Sequence, residues 1–233
     1  MKKLILLRHG QSEWNLENRF TGWTDVGLSP KGREEARRAG ELIAASGLEP
    51  RYCFTSYLRR AIRTLDLALD AMDRLWLPVV KDWHLNERHY GALQGLNKAD
   101  TAARYGDEQV HVWRRSYDVA PPPLTRTDKR FPGFDSRYAA LPEDLLPLTE
   151  SLADTVRRVE SCWEELIAPA LILYDTVFVA AHGNSLRALV MILLKKTPEE
   201  IVSEEIPTGV PRVIELTDRL EVISDTYLKE SET

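Results

Sequence analysis

Leu4-Ile5-Leu6-Leu7-Arg8-His9-Gly10 is the stretch on which the reading of this chain turns. Four consecutive apolar residues, bounded by charged and turn-forming ones, suit a strand buried on both faces. That strand is expected over residues 2–7, delivering Arg8, His9 and Gly10 to its carboxyl end. A second run, Val177-Phe178-Val179-Ala180-Ala181, ends the same way, in His182-Gly183-Asn184. Ligands of open α/β sheets bind just beyond the carboxyl ends of the strands. A polar residue closing a strand explains either histidine alone but explains the pair poorly. One His with an adjacent Arg, facing a second His across such a crevice, makes a phosphoryl-transfer site. The first His would be the nucleophile, with Arg and His donors on the phosphate oxygens.

Strand and helix patterns alternate outward from these two turns. A polar loop is expected from Gly10 to Leu28. Ser29-Pro30 then opens a helix, Ser as N-cap and Pro at the first helical position, that runs to Gly47. Tyr52–Thr55 reads as a short strand, and Ser56 as the N-cap of a helix carrying Leu58, Ala61, Ile62, Leu65, Ala68, Leu69 and Met72 at helical spacing. Pro78-Val79-Val80 begins another strand ahead of an Asn86–Gly95 loop. Helical pieces are expected near 98–104 and 107–116. Pro121-Pro122-Pro123 and a polar stretch to Pro147 follow. That is long for a loop, and long loops in compact domains often act as lids. The 98–147 stretch is therefore read as an insertion over the site within a single domain, 1–233. Ser151 caps a helix with Leu152, Val156, Val159, Trp163 and Leu166. The strand 176–181, a helix with Leu186, Leu189, Val190, Leu193 and Leu194, a last strand Val213–Leu216 and a polar tail from Lys229 complete the chain. The alternation predicts an α/β fold of three layers, a mostly parallel sheet flanked by helices.

Bulk properties narrow the function. The 233 residues suffice for one α/β domain with a buried core. A net charge of −5 argues against nucleic-acid binding by bulk charge, so any anionic ligand needs a local basic cluster. Cys53 and Cys162 lie inside apolar patterns with no CxxC pair, which indicates neither a zinc cage nor a disulfide framework. Met1-Lys2-Lys3 leads into only four apolar residues before Arg8, and no apolar run approaches the ~18 residues of a membrane span. The expectation is a cytoplasmic protein without a membrane or nucleic-acid partner.

The common phosphate cradles GxxxxGK[ST] and GxGxxG are missing, as is HExxH. His84 and His89 lack an obvious third ligand, so no metal is expected. Dispersed basic groups stand near strand ends and loops instead: Arg8, Arg60 in a first helical turn, Arg88, Lys98 and Arg114-Arg115. Arg59 and Arg63 lie on other faces of the Arg60 helix and read as solvated charges. A neutral imidazole is nucleophilic near pH 7, its reference pKa of about 6.5 keeping that form available. Glu87, set among Arg88, His89 and Tyr90, is the best acid/base carboxylate; the bland alternative is an ion pair with a neighbouring Arg.

Leu7-Arg8-His9-Gly10 resembles the signature of the histidine phosphatase superfamily. The likeness extends in order along nearly the whole chain. Arg8–Asn15, Phe20–Trp23, Thr55–Ala61, Leu85–Gly91, Gly95–Lys98, Trp113–Asp118, Pro121–Pro123 and Ala181–Arg187 are similar to the 2,3-bisphosphoglycerate-dependent phosphoglycerate mutases. Ala120 departs from that family's longer proline run. The resemblance implies a histidine-phosphatase-like fold with a lid-like insertion, and interconversion of 3-phosphoglycerate and 2-phosphoglycerate primed by 2,3-bisphosphoglycerate, without metal. It implies His9 as the phosphorylated nucleophile, Glu87 as proton donor and acceptor, and His182 with Arg8 and Arg60 around the transferring phosphoryl group. Gly10, Gln11, Ser12, Glu13, Trp14, Asn15, Thr21, Gly22, Arg88, His89, Tyr90, Lys98, Arg114, Arg115, Gly183 and Asn184 would join the substrate-binding set. A homo-oligomer, dimer or tetramer, is left open. Two alternatives stay beside this reading: a phosphatase of the same superfamily, with water as acceptor, and a non-catalytic phospho-ligand-binding protein. The second is weakened by the presence of both histidines, Arg8, Arg60 and Glu87 together.

Overall fold

The first apolar run forms strand β1, Lys2–Arg8, one residue longer than expected. Its alternation divides the interior into two cores: Leu4 and Leu6 point into one, Ile5 and Leu7 into the other. The computed structural model describes residues 1–229, so the tail beyond Lys229 lies outside the described residues. After β1 come α1 (Glu13–Leu16), α2 (Pro30–Ala45), β2 (Tyr52–Thr55), α3 (Arg59–Ala71) and β3 (Val79–Lys81). Then follow α4 (Lys98–Tyr105), α5 (Asp107–Arg115), α6 (Leu152–Cys162), α7 (Ala168–Tyr174), β4 (Thr176–Ala181), α8 (Gly183–Leu194), α9 (Pro198–Ser203), β5 (Arg212–Leu216) and β6 (Val222–Tyr227).

The six strands lie in the order β3-β2-β4-β1-β5-β6. β3, β2, β4 and β1 are mutually parallel, and β5 runs antiparallel to both neighbours. Ala39 and Ile43 of α2 and Leu65, Ala68 and Leu69 of α3 fill the core on one face of the sheet. Val159 of α6, Leu171 of α7 and Leu186, Leu189 and Val190 of α8 fill the core on the other. Three layers, with the sheet in the middle, follow from these two faces. Cys53 and Cys162 are buried on opposite sides of it and unpaired. Among the described residues, no helix is long and apolar enough to cross a membrane.

Ser29 caps α2 as expected, accepting from the Gly32 N–H at 3.1 Å, and Gly47 follows that helix at φ +70°. Ser56 differs from expectation. α3 starts at Arg59, and its Arg59 N–H is capped by Asp25, 34 residues away, at 2.7 Å. The Ser56 hydroxyl accepts the Leu58 N–H at 3.1 Å, ahead of the helix, and also reaches the site described below. α1, α9 and β6 are additions to the expected elements. β6 is an edge strand of mixed Val-Ile-Ser-Asp-Thr-Tyr composition, without the apolar run that marked its neighbours. The helix from Ser151 runs past Leu166: a π-turn at Trp163–Ile167 links α6 to α7 next to Pro169, which lacks the N–H an α-turn would need.

The 98–147 stretch divides in two. Its first part is α4 and α5. Its second is a series of 3₁₀ turns whose Phe131, Tyr138 and Leu146 pack with Trp23 and Trp83 in a separate apolar cluster.

Candidate active site

β1 and β4 are in register with Arg8 opposite Ala181, so the next residue of each strand is a histidine. The His9 N–H donates to the Ala181 carbonyl at 3.0 Å, and the two imidazole rings meet edge to face with centroids 5.0 Å apart. The turn after His9 packs closely on α2. A Cβ on Gly10 would fall 2.0 Å from the Gly32 carbonyl oxygen, so both positions need glycine.

His9 is buried, with Nδ1 2.7 Å from the Gly10 carbonyl. A carbonyl only accepts, so the proton sits on Nδ1 and the lone pair on Nε2. Arg60 Nε donates to that Nε2 at 3.3 Å. Burial first, then the Arg60 and Arg8 charges, hold the imidazole pKa well below its usual value, and the ring is neutral at pH 7. Arg60 is itself fixed by the 21–25 loop, donating to the carbonyls of Gly22 at 2.7 Å and Thr24 at 2.9 Å. Burial lowers its pKa to about 10, which leaves it cationic. His182 is fully buried and likewise held neutral, by burial first and then by Arg60 and His9. Its Nε2 lies 2.8 Å from the Ser56 hydroxyl, and its Nδ1 has no partner among the described residues.

Glu87 faces this pair. Its Oε1 accepts three hydrogen bonds, from the Arg88 N–H at 2.8 Å, the Asn184 N–H at 3.1 Å and Asn184 Nδ2 at 2.9 Å. Oε2 accepts none among the described residues. Burial alone would raise the carboxyl pKa, but those donors, with Arg60 and Arg8, outweigh it and leave it below the ordinary value. The backbone of Glu87 is equally fixed. Its carbonyl accepts from Trp23 Nε1 at 2.6 Å and Arg158 Nη2 at 2.9 Å. Arg158 also pairs with the buried Glu150, whose Oε2 accepts the His89 N–H at 2.7 Å. Arg158→Met keeps most of the volume but strands the Glu150 charge and deprives the Glu87 carbonyl of a donor. Urea unfolding of this variant is expected to show a loss of about 3–5 kcal/mol, the scale for breaking a buried pair. Restoring Lys at 158 should recover only part, because Lys lacks the planar fork.

The cavity beyond Glu87 is lined by Arg8, His9, Asn15, Arg19, Phe20, Thr21, Gly22, Arg60, Glu87, Tyr90, Lys98, Arg114, Arg115, Gly183, Asn184, Arg187, Glu205 and Ile206. Seven of these side chains are Arg or Lys and two are carboxylates, so the cavity suits a polyanion. Most of the residues singled out from the sequence are thus brought together. Eight do not line it: His182, fully buried against His9, and seven that are placed behind the wall. Gly10 meets α2. Gln11 Oε1 accepts from Ser29, and the Gln11 N–H donates to Glu35. Ser12 caps α1 and exchanges hydrogen bonds with Asn15, which fixes Asn15 in the wall. Glu13 opens the exposed α1, and Trp14 lies under the Arg19 guanidinium at 4.2 Å. Arg88 is fully buried, donating to the Trp113 and Arg114 carbonyls and so fixing the end of α5 that carries Arg114 and Arg115. His89 is buried, its Nδ1 accepting the Gly91 N–H and its pKa pushed down to about 3 by burial. Arg59 and Arg63 pair with Asp25 and Asp66, away from the cavity. His84 hydrogen-bonds Asp82, and among the described residues no group of three or more His, Cys, Asp or Glu could hold a metal ion.

Arg19, Phe20, Arg187, Glu205 and Ile206 line the cavity without having been picked out from the sequence. Arg187 had a signal: it stands three residues after Asn184 on one helix, hence on the same face. Glu205 and Ile206 had none, because only the return of the chain after α9 brings them to the cavity.

Residues 4–226 match the histidine phosphatase superfamily, branch 1. The chain is 54% identical over its full length to 2,3-bisphosphoglycerate-dependent phosphoglycerate mutase from two strains of Porphyromonas gingivalis, covering 94% of each relative. Among solved structures it is similar in fold to a mycobacterial glucosyl-3-phosphoglycerate phosphatase (TM-score 0.72, 24% identity, 97% of this chain and 96% of that one). It is equally similar to the alpha-ribazole phosphatase of Shigella flexneri (TM-score 0.72, 20% identity, with the same coverage). Sheet, paired histidines and full-length identity agree: the chain belongs to the histidine phosphatase superfamily and, within it, to the 2,3-bisphosphoglycerate-dependent phosphoglycerate mutases.

Proposed function

We propose that this chain interconverts 3-phosphoglycerate and 2-phosphoglycerate, a step of glycolysis and gluconeogenesis in the cytoplasm, by way of a phosphohistidine at His9. One observation carries the reading. A neutral, oriented His9 lines the same basic cavity as Glu87, whose Oε2 accepts no hydrogen bond among the described residues, in a chain of the mutase family.

His9 Nε2 presents its lone pair because Nδ1 is tied to the Gly10 carbonyl, and Arg60 aligns the ring. Arg8, whose Nε is buried without a partner among the described residues, and His182, whose Nδ1 is in the same condition, would hold phosphoryl oxygens together with Arg60 and Asn15. With the Ser56 hydroxyl donating a hydrogen bond to His182 Nε2, the single ring proton of neutral His182 sits on Nδ1, which is a donor. Those buried unpartnered donors and the cationic wall fit 2,3-bisphosphoglycerate, which when bound supplies the phosphoryl group that charges His9. Glu87 Oε2 is the atom that takes a proton from the attacking hydroxyl and returns one to the leaving oxygen. Thr21, Gly22, Tyr90, Lys98, Arg114, Arg115, Gly183 and Asn184 would grip the carboxylate and the second phosphate. Of the 98–147 stretch, the α4–α5 part would serve as the lid, through Lys98, Arg114 and Arg115. Gln11, Ser12, Glu13, Trp14, Arg88 and His89 would act from behind the wall, by holding its residues in place.

The test is a coupled assay from 3-phosphoglycerate. Turnover is expected to rise on adding catalytic 2,3-bisphosphoglycerate, to survive exhaustive chelation, and to release little inorganic phosphate. Phosphate release matching the loss of 3-phosphoglycerate would make the chain a phosphatase instead.

A further inference from the structure

Of the two carboxylates in the cavity wall, Glu205 is not used by the chemistry above. It reaches from the loop after α9 to Arg115 at the end of α5, with Oε1 2.6 Å from Arg115 Nη2. Its Oε2 is 3.8 Å from Nη2 of Arg187, on α8. Glu205 thus lies between two guanidinium groups contributed by separate elements. Its backbone is held at three successive carbonyls. Arg187 Nε donates to that of Glu204 at 2.7 Å, the Tyr227 hydroxyl to that of Glu205 at 3.3 Å, and Arg8 Nη1 to that of Ile206 at 2.8 Å. The side chain is 67% exposed, whereas that of Arg187 is 11% exposed. The carboxylate can therefore swing into solvent while Arg187 stays in the wall.

Two adjacent arginines repel each other and attract any anion that reaches both. A negative side chain in a cavity built for polyanions opposes ligand binding unless it does something else. We propose that Glu205 is an internal competitor. In the empty enzyme its carboxylate occupies an anion position formed by Arg115 and Arg187, and a phosphate or carboxylate of the ligand must displace it. Glu205 then weakens ground-state binding and speeds release, so it sets the affinity of the cavity for anions. The mutase reading enters only in naming the natural ligand as a phosphoglycerate.

The test is Glu205→Gln, which keeps length and volume and removes the charge. Binding is measured calorimetrically with 2,3-bisphosphoglycerate and, separately, with inorganic pyrophosphate, which carries two phosphates and no glycerate. The variant is expected to bind both roughly 3- to 10-fold tighter at low ionic strength, the scale of a partly exposed ion pair with two partners. That gain should shrink as salt screens the charge. KM for 3-phosphoglycerate should fall in parallel, without a rise in kcat. Glu205→Ala, which removes the reach as well, should give the same sign. Unchanged or weaker binding in both variants would overturn the proposal and make Glu205 a clasp that organises Arg115 and Arg187. A gain independent of salt would overturn it too, by assigning the effect to shape. A wild-type chain that fails to isomerise 3-phosphoglycerate would defeat the mutase reading, while the pyrophosphate comparison would still decide the role of Glu205.

Discussion

His9→Ala is expected to take no phosphoryl group at all. Wild-type chain incubated with labelled 2,3-bisphosphoglycerate should yield an acid-labile, base-stable phosphoprotein, and the variant none. Mutase turnover should drop by up to about 10⁶-fold, the scale on which removing a covalent nucleophile acts. The size of the effect follows from how little else in the cavity can replace the ring. His182 is neutral and 5.0 Å away between centroids, but its Nε2 is taken by the Ser56 hydroxyl. Its Nδ1 is buried without a partner among the described residues, and with Nε2 accepting from Ser56 the ring proton sits on Nδ1, which makes that atom a donor, not a nucleophile. His89 is buried behind the wall, with Nδ1 accepting from Gly91. A basic cavity remains in the variant, so anion binding should persist while the covalent step is lost. Label retained by His9→Ala would remove His9 from the nucleophile role and direct attention to His182.

The place of His9 was legible from the sequence because its signal is local: an apolar strand, then Arg-His-Gly. The second histidine was legible for the same reason. What the sequence did not carry was their register. That depends on β1 and β4 being neighbours, although 173 positions of chain separate Arg8 from its pairing partner Ala181. Ser56 shows the opposite failure. A serine between a strand and a helix looks like a cap, but Asp25 reaches the first turn of α3 from another loop, and the Ser56 hydroxyl accepts the Leu58 N–H, ahead of the helix, while it meets His182. Gln11, Arg88 and His89 sit in motifs that read as substrate contacts, yet their side chains support the wall from behind. A motif records which residues belong to a site and not which side of it they face. Glu205 lies in a stretch with no pattern of its own, and tertiary packing alone gives it a place.

Glu87→Gln should slow isomerisation by about 10²–10⁴-fold, the usual range for loss of a general acid–base group. The carboxylate is built asymmetrically. Oε1 accepts three hydrogen bonds, and Oε2 accepts none among the described residues of this cavity-lining side chain. In the variant the amide oxygen keeps the bonds from Arg88 and Asn184, so the NH₂ must take the place of Oε2 and cannot accept a proton. The free carboxyl is held below its ordinary pKa by those donors and by Arg60 and Arg8. It is therefore ionised at neutral pH, ready to take the proton of an attacking hydroxyl. Returning a proton to the leaving oxygen requires the pKa to rise, and the negative charge of bound phosphate acts in that direction. Removing one negative charge from a cavity lined by seven cationic side chains should leave KM equal or lower, so the loss should fall on kcat. Charging of His9 should slow as well, since the departing alkoxide still needs its proton. A variant that turns over near the wild-type rate would reject Oε2 as the proton-exchanging atom and leave the Nδ1–H of His182 to do that work.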